Sequence, residues 1–314
     1  MVHVYVHRGQ RSGGLEALHQ LVHELTALGV EARLVASPES RGLAEEPTYA
    51  GYGCTYADEV PDFPGTVLVV PEVAISHLSG FPRSRHVVWW LSVDFGELYS
   101  EHGSPETDEL RRLVRSAHNA AQSEYARVEI ARREGVETYA LSDYTVFAGG
   151  LAGEADRRDD EGPGSVCFNP LRGADLTALV RERSPHLDWR PVEGLDRAGV
   201  DDLLLSTTVY LDLGFHPGKD RIPREAALAG CVVVVGRAGS AAYAEDVPVP
   251  DQHKVDLDRD PGEVAADVAA RLEAIVADPA PHRDAQRGYV EVIGRERDTF
   301  RREVAAFVER VVRN

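Results

Sequence analysis

The residues best suited to chemistry lie in a short loop between two apolar segments, within the stretch VYLDLGFHPGKDRIPREAALAGCVVVVG at 209–236. The loop and the residues just after it carry a glycine, an acid and three cations: Gly218, Lys219, Asp220, Arg221 and Arg224. Lysine and arginine bind phosphate oxygens through charge-assisted hydrogen bonds. A glycine beside them lets a ligand approach the backbone closely. This combination predicts an anion site suited to a diphosphate.

The elements that flank the loop are expected to hold it at the edge of a sheet. The pattern predicts a strand at Val209–Leu213 and a helix at Pro223–Ala229, with Pro223 at the first helical position. α/β folds bind ligands at the carboxyl ends of parallel strands, and a helix N-terminus carries partial positive charge. Glu225 falls in the first turn of the predicted helix, where its carboxylate can accept two hydrogen bonds from a vicinal diol such as a ribose.

The loop after the next predicted strand, GRAGSA at 236–241, is expected to reach the same ligand. It offers backbone amides at Gly239 and Ser240, and Arg237 adds a cation. The alternative explanation is a solvated loop whose charges face only water. We favour a ligand site because of where these residues are placed rather than because of their number.

Other reactive groups have simpler explanations. Among the twelve histidines, His216 is the strongest catalytic candidate because it lies inside the loop. The aspartate pairs at 159–160 and 201–202 are interpreted as solvated, and no metal site is predicted. The chain has no Gly-x-Ser-x-Gly elbow. Its N-terminal glycine turn is not a complete G-x-G-x-x-G, which disfavours a nicotinamide-dependent dehydrogenase.

Composition disfavours several classes of partner. The 314-residue chain has a formal net charge of −18, which argues against binding to nucleic acid or to an anionic membrane surface. The N-terminus lacks the pattern of a signal peptide, and no apolar run approaches the length of a membrane span. The three cysteines fit neither a metal site nor a disulfide framework, so we expect reduced thiols and a cytoplasmic protein. The oligomeric state is left open.

The order of predicted elements indicates the fold class. Strands alternate with helices in both halves of the chain, and several strands are continuous apolar runs of the kind buried in parallel sheets. The predicted strands are 2–7, 32–35, 66–72, 86–92, 137–141, 165–170, 187–193, 209–213 and 231–236, with a further short one at 121–123. Adjacent Trp89 and Trp90 are expected to point to opposite faces of their strand and into the core. Long helical patterns cover 262–277 and 285–312.

These patterns predict an α/β protein with two doubly wound, Rossmann-like parallel-sheet domains that face each other across a cleft. The acidic, Gly- and Pro-containing segment Leu151–Gly164 is the predicted linker. The predicted domains are 1–155 and 156–285, and a terminal helix at 286–314 is expected to pack back on the first domain.

The segment REAALAGCVVVVG (224–236) resembles the nucleotide-sugar signature of the retaining, family-4-like glycosyltransferases of the GT-B fold. That signature has a Glu, a glycine-rich turn and a second Glu eight residues later, followed by small residues and a valine-rich strand. The second Glu maps to Glu225, and its role in the family is to bind the ribose hydroxyls. The first Glu, which contacts the donor sugar, maps to Pro217 and is missing here. The candidates to replace it are His216, Lys219 and Asp220.

Shorter matches extend the resemblance over most of the chain. Gly13 and Gly14 map to a glycine turn that lines the cleft with the helix after it, which carries His19. Asp94 takes the position of a His or Asp near the acceptor. In the second half, Arg172 takes the position of a basic residue that faces the diphosphate. The nucleotide base is expected to pack near PVEGL (191–195), which includes Glu193.

The resemblance implies a glycosyltransferase that takes a nucleoside-diphosphate sugar as co-substrate, with no other cofactor and no metal. The implied catalytic residues are Asp94, Lys219 and His216. The implied donor-binding residues are Arg172, Gly218, Asp220, Arg221, Glu225, Glu193, Gly239 and Ser240. Retention is expected, with a small molecule or a glycan as acceptor; an inverting enzyme would need Asp94 or His19 as its base. The alternatives are a nucleotide-sugar epimerase or hydrolase of the same fold, and a non-catalytic nucleotide-sugar-binding protein.

Overall fold

The computed structural model describes residues 1–99, 107–147 and 164–313, which divide into two compact units. Unit 1 comprises Met1–Tyr144 and Glu296–Asn314, and unit 2 comprises Thr145–Arg295. The predicted domain boundary after residue 155 and all of the predicted linker except its last residue lie outside the described residues. The C-terminal segment from Glu296 onward thus belongs to the same unit as the N-terminus.

Unit 1 is built on a six-stranded sheet whose paired strands are all parallel. Its strands are β1 (Val2–Val6), β2 (Ala32–Ala36), β3 (Val67–Pro71), β4 (Arg85–Trp90), β5 (His118–Ala121) and β6 (Tyr139–Ala140), in the order β2-β1-β3-β4-β5-β6. Its helices are α1 (Gly13–Ala27), α2 (Thr107–Ser116), α3 (Glu124–Glu134) and, from the C-terminus, α10 (Glu296–Phe307), which continues as a π-helical turn at Val308–Val312. The short strand predicted at 121–123 was wrong in its bounds, because the chain leaves α2 and already enters the sheet at His118.

Unit 2 contains a five-stranded parallel sheet. Its strands are β7 (Ser165–Phe168), β8 (Asp188–Pro191), β9 (Val209–Asp212), β10 (Val232–Gly236) and β11 (Lys254–Val255), in the order β8-β7-β9-β10-β11. Its helices are α4 (Ala174–Arg183), α5 (Arg197–Leu205), α6 (Arg221–Leu228), α7 (Pro261–Ala277), α8 (Pro279–Ala285) and α9 (Arg287–Gly294). Alternate residues of β9 and β10 enter two different apolar clusters, one on each face of the sheet. Burial on both faces explains why these strands are continuous apolar runs.

The single long helix predicted at 285–312 is broken into three helices. Between α8 and α9, Gln286 is buried and its amide binds the start of β10: Nε2 donates to the carbonyl oxygen of Cys231, and Oε1 accepts from the N–H of Val233. Between α9 and α10 the chain passes from unit 2 to unit 1. A local helical pattern predicts neither the contacts of Gln286 with β10 nor the passage of the chain between the two units.

Helix α10 packs into the core of unit 1. Phe300, Val304 and Phe307 are fully buried, and the ring of Phe300 stacks on Trp89 with 6.3 Å between centroids. Trp89 and Trp90 are both fully buried and send their indole N–H groups to different partners, which confirms the prediction that both belong to the core. Among the described residues, no helix is long and apolar enough to cross a membrane.

In both sheets the first strand along the chain lies between the second and the third. The connections therefore reverse direction between β1 and β3 in unit 1, and between β7 and β9 in unit 2. In open α/β sheets the crevice at the carboxyl ends of the strands at this switch point is where ligands bind. The order of the strands thus marks one place in each unit, and the place in unit 2 includes the loop singled out from the sequence.

Candidate anion site at the carboxyl edge of unit 2

Two loops meet at the switch point of unit 2 and bring charged side chains together. Arg172 lies in the loop after β7, and the loop after β9 runs from Leu213 to Asp220. The loops are pressed closely together, because a Cβ on Gly214 would lie 2.2 Å from the Cβ of Arg172. A Cβ on Gly173, which has a φ of +63°, would lie 2.6 Å from the carbonyl carbon of Leu213. Glycine at both positions is what allows this approach.

Asp212, the last residue of β9, is the centre of the cluster, and the sequence analysis missed it. Its side chain is fully buried. Oδ2 accepts hydrogen bonds from the Tyr210 hydroxyl at 3.0 Å and from Arg172 Nη2 at 3.2 Å, and Oδ1 accepts from the N–H of Gly214 at 3.0 Å. An acid at the end of an otherwise apolar strand was the signal available in the sequence.

Arg172 joins Asp212 to a second carboxylate. Its Nη1 donates to Asp220 Oδ2 at 2.6 Å and to the carbonyl oxygen of Phe215 at 3.2 Å. His216 is fully buried, with Nδ1 2.8 Å from Asp220 Oδ2 and Nε2 3.7 Å from Asp212 Oδ1. Burial alone would raise the pKa of Asp220, but His216 and Arg172 together hold it below its usual value. Asp220 is therefore an ionised carboxylate, and Arg172 lies between two negative charges.

Helix α6 begins at Arg221, so Pro223 is its third residue and not its first, as predicted. Asp220 directly precedes the helix, but its side chain makes no capping hydrogen bond. An Asp in this position ordinarily accepts a hydrogen bond from the first turn, whereas here the carboxylate is held by Arg172 and His216. The N-terminus of α6, with its partial positive charge, is thus not covered by this carboxylate.

Arg224 does not face a ligand, contrary to the prediction. It is fully buried, and its guanidinium donates to the carbonyl oxygens of Lys219 at 2.8 Å and Asp220 at 3.1 Å. Arg224 therefore fixes the backbone of the loop through these two carbonyl oxygens. Lys219 and Arg221 are partly exposed, so they are the cations that this loop presents at the surface.

Glu225 is the fifth residue of α6, two positions further along the helix than predicted, and it is almost fully buried. Its Oε1 accepts a hydrogen bond from Arg197 Nη1 at 2.5 Å. The same guanidinium pairs with Asp201 through Nη2 at 2.6 Å. Asp201 is buried too, so its interpretation as a solvated residue was wrong. Arg197 thus neutralises two buried carboxylates and ties α5 to α6.

The loop at 236–241 supports the site from the side of β10. Ser240 donates its N–H to the carbonyl oxygen of His216 at 2.9 Å and its hydroxyl to that of Gly218 at 2.6 Å. Gly239 has a φ of +60°, and a Cβ there would lie 2.0 Å from the carbonyl oxygen of His216. Arg237 pairs with the exposed Asp251. The N–H of Ser240, expected to reach a ligand, is therefore used to hold the loop that carries His216.

In unit 1, Asp94 lies in a 3₁₀ turn just after β4 and is bound by two side chains. Oδ2 accepts from the Tyr125 hydroxyl at 2.5 Å and Oδ1 from Arg133 Nη2 at 2.8 Å. Burial and the nearby Asp94 carboxylate raise the pKa of Tyr125, so its proton stays on the hydroxyl. Arg133 also lies over the ring of Tyr99, 4.7 Å from its centroid. Asp94 is therefore held in a fixed orientation.

Gly13 and Gly14, predicted to form a turn before the first helix, are instead the first two residues of α1 in unit 1. The hydroxyl of Ser12 caps this helix by accepting from the N–H of Leu15. His19 is buried in this helix: Nδ1 donates to the carbonyl oxygen of Leu15 at 2.7 Å, and Nε2 lies 3.4 Å from Glu45. Burial lowers the pKa of His19 more than the Leu15 carbonyl and Glu45 raise it.

The predicted site residues fall into three groups. Arg172, His216 and Asp220 meet around Asp212, with Gly218, Gly239 and Ser240 supporting the same loops. Glu225 lies on the following helix and is paired with Arg197, while Glu193 is exposed in the loop after β8. Asp94, Gly13, Gly14 and His19 belong to unit 1. Among the described residues, no group of three or more His, Cys, Asp or Glu side chains is arranged to hold a metal ion.

Two parallel doubly wound sheets in one chain, with these strand orders, are the architecture of GT-B glycosyltransferases, which confirms the fold predicted from the sequence. A glycosyltransferase from Rickettsia africae ESF-5 superposes with a TM-score of 0.66 at 9% identity, covering 100% of this chain and 99% of the other. Sucrose-phosphate synthase from Thermosynechococcus elongatus gives 0.61 at 13% identity, covering 97% and 94%. The N-terminal domain of Candida albicans trehalose-6-phosphate phosphatase gives 0.63 at 11% identity, covering 98% and 95%.

At these identities the likeness establishes the fold alone. No protein-family model matches the chain, and no curated protein sequence matches it. The chemistry must therefore be argued from the residues of the chain itself.

Proposed function

We propose that this protein is a glycosyltransferase that binds a nucleoside-diphosphate sugar at the carboxyl edge of the unit 2 sheet. The observation that carries the proposal is the placement, at one edge of the sheet, of Arg172, the partly exposed cations Lys219 and Arg221, and a helix N-terminus that the Asp220 side chain does not cap. Cations and backbone amides aimed at one place suit a diphosphate. The solved glycosyltransferases of the same fold support a glycosyl donor over other diphosphates.

The proposed chemistry is electrostatic. When the glycosyl bond breaks, negative charge develops on the leaving diphosphate, and Arg172, Lys219 and the N-terminus of α6 stabilise it. This requires neither a metal nor a cofactor, and we propose transfer with retention because these residues supply no dedicated strong base. His216, held by Asp220 and Asp212, fixes the loop that carries Lys219.

Glu225 is proposed to bind the ribose of the donor through the oxygen that Arg197 does not occupy. Its carboxylate is fixed by the ion pair with Arg197, and a fixed acceptor loses less entropy on binding a diol. Glu193, exposed after β8, is proposed to lie near the nucleotide base.

The acceptor, a small molecule or a glycan, is proposed to bind at the carboxyl edge of the unit 1 sheet. Gly13 and Gly14 begin the helix that follows β1, and Asp94 follows β4, so all three lie at that edge. Asp94, held by Tyr125 and Arg133, is suited to orient an acceptor hydroxyl. The three cysteines, all in the described part of the chain, form no disulfide, which favours a reducing compartment such as the cytoplasm.

The first test is thermal unfolding of the wild type with UDP, GDP, ADP, CDP or dTDP, because a ligand of the folded state raises its apparent stability. One nucleotide is expected to raise the unfolding temperature, and Lys219→Ala is expected to remove most of that rise. Incubation of the matching nucleotide sugars with a panel of acceptors should then release the nucleoside diphosphate. No rise with any nucleotide at millimolar concentration would count against the proposal.

A second candidate is a nucleotide-sugar-binding protein without turnover. Two observations favour it: Pro217 stands where the related signature has a sugar-contacting Glu, and Asp94 is already paired with Arg133. Saturable nucleotide-sugar binding with no product across a broad acceptor panel would support this candidate over the transferase.

A further inference from the structure

Arg172 binds two carboxylates that differ in how firmly they are held. The Asp212 side chain is 0% exposed and its carboxylate also receives hydrogen bonds from Tyr210 and Gly214. The Asp220 side chain is 25% exposed, and its carboxylate is bound by Arg172 and His216. Separating Arg172 from Asp212 would leave a buried charge unpaired, which is costly. The pair with the partly exposed Asp220 costs less to break than the pair with the fully buried Asp212.

The negative charge that Arg172 already holds favours an exchange on anion binding. Asp220 places its carboxylate on Nη1, so a phosphate that approaches this nitrogen meets both repulsion and an occupied donor. The same Nη1 also donates to the carbonyl oxygen of Phe215 in the loop after β9. An anion that takes the place of Asp220 on Nη1 removes the repulsion and gains the charge-assisted bond at the same time.

We propose that Asp212 is the positioning residue that anchors Arg172. In the same proposal, Asp220 occupies the place of the ligand's phosphate on Arg172 and is displaced when an anion binds. This deepens the proposed function, on which it rests for the identity of the anion. It reverses the donor-binding role that the family resemblance implied for Asp220: the residue competes with the donor for Arg172 and does not bind it. Arg172 stays fixed through Asp212 in both states, so the site is ready before the ligand arrives.

The experiment is calorimetric titration of the full chain with inorganic pyrophosphate, which carries neither base nor sugar. Asp220→Asn is expected to bind it about tenfold more tightly, since a nearby like charge has been removed. Asp212→Asn is expected to bind it about tenfold more weakly, because Arg172 loses its anchor. Asp284→Asn, which removes the same charge from an exposed ion pair with Arg287 in the same unit, should change nothing.

Weaker binding by Asp220→Asn would overturn the exchange, because it would make Asp220 a ligand contact. Unchanged binding by Asp212→Asn would overturn the anchor, and absence of pyrophosphate binding by the wild type at millimolar concentration would overturn both. If Asp212→Asn does not fold, Asp220→Asn still decides, since its side chain is partly exposed.

The outcomes separate this inference from the proposed function. The predicted order of pyrophosphate affinities with no binding of any nucleoside diphosphate would keep the exchange and reject the donor. Sugar transfer by a protein in which Asp220→Asn weakens pyrophosphate binding would do the opposite.

Discussion

The close approach of the two loops at the site predicts a large effect of the smallest substitution, Gly214→Ala. The added methyl group would lie 2.2 Å from Arg172 Cβ and 3.0 Å from its carbonyl carbon. Carbon atoms pack at about 3.5–4.0 Å, so the loops must separate by more than about 1 Å. Overpacking of this kind costs about 1–3 kcal/mol, which for a unit of this size lowers the unfolding temperature by about 3–9 °C.

The same substitution should weaken binding at the site. Moving Arg172 away from β9 lengthens its hydrogen bond to Asp212, now 3.2 Å. Pyrophosphate titration is therefore expected to show a loss of affinity in addition to the loss of stability. Scanning calorimetry and titration of one protein preparation measure both effects.

Gly288→Ala is the matched control, because it makes the same chemical change in helix α9 of the same unit. In the described part of the chain nothing lies within 4 Å of the position its Cβ would take. Its free energy of unfolding should stay the same or rise by up to about 1 kcal/mol, because alanine favours a helix more than glycine does. A Gly214→Ala protein as stable and as tightly binding as Gly288→Ala would refute the packing of the two loops.

Three further predictions concern buried charges. Arg197→Met leaves Glu225 and Asp201 without their cation, so the free energy of unfolding should fall by about 3 kcal/mol in urea denaturation. The double variant that also carries Glu225→Gln should recover part of this loss. No recovery would argue against the coupling of Arg197 and Glu225. Glu225→Gln should weaken binding of nucleoside diphosphates while leaving pyrophosphate binding intact, since only the former carry a ribose; calorimetric losses of equal size for both ligands would exclude the ribose contact. Burial, His282 and Arg271 lower the pKa of His253 from 6.5 to about 4, so the folded state binds fewer protons than the unfolded state between these values. Stability should be complete above pH 6.5 and decrease as the pH falls toward 4, and His253→Gln should flatten this dependence in urea denaturation at a series of pH values; an unchanged slope would contradict it.

The strands were predictable because burial leaves a direct mark on sequence. Strands β4, β9 and β10 lie in parallel sheets that are covered on both faces, and they read as continuous apolar runs. The positions of Arg172 and the 218–221 loop at strand ends followed from those runs. The bounds of the helices were less accurate, as at α6 and in the C-terminal segment, because packing against other elements decides where a helix starts and breaks.

The functional roles assigned to single residues remain predictions, but the structure shows why partners were hard to predict. In the sequence, Asp212 is a single acid at the end of an apolar strand. Only its contacts with Arg172 and Tyr210 show that it is the centre of the charged cluster. Arg224 was predicted to face a ligand, but it is buried and donates hydrogen bonds to backbone carbonyl oxygens of the loop. Neither composition nor spacing distinguishes these cases, because the contacts join segments distant in sequence.

The sequence by itself determined the α/β class, the two parallel sheets and the cationic loop at a strand end, since periodicity and residue type are local properties. Only the tertiary structure decided which charge faces which. It placed two aspartates on Arg172 and an arginine on Glu225, because ion pairs depend on distances through space that strand order and loop packing set. The sequence therefore shows which charged groups are present, and the fold determines which of them are paired and so what each can bind.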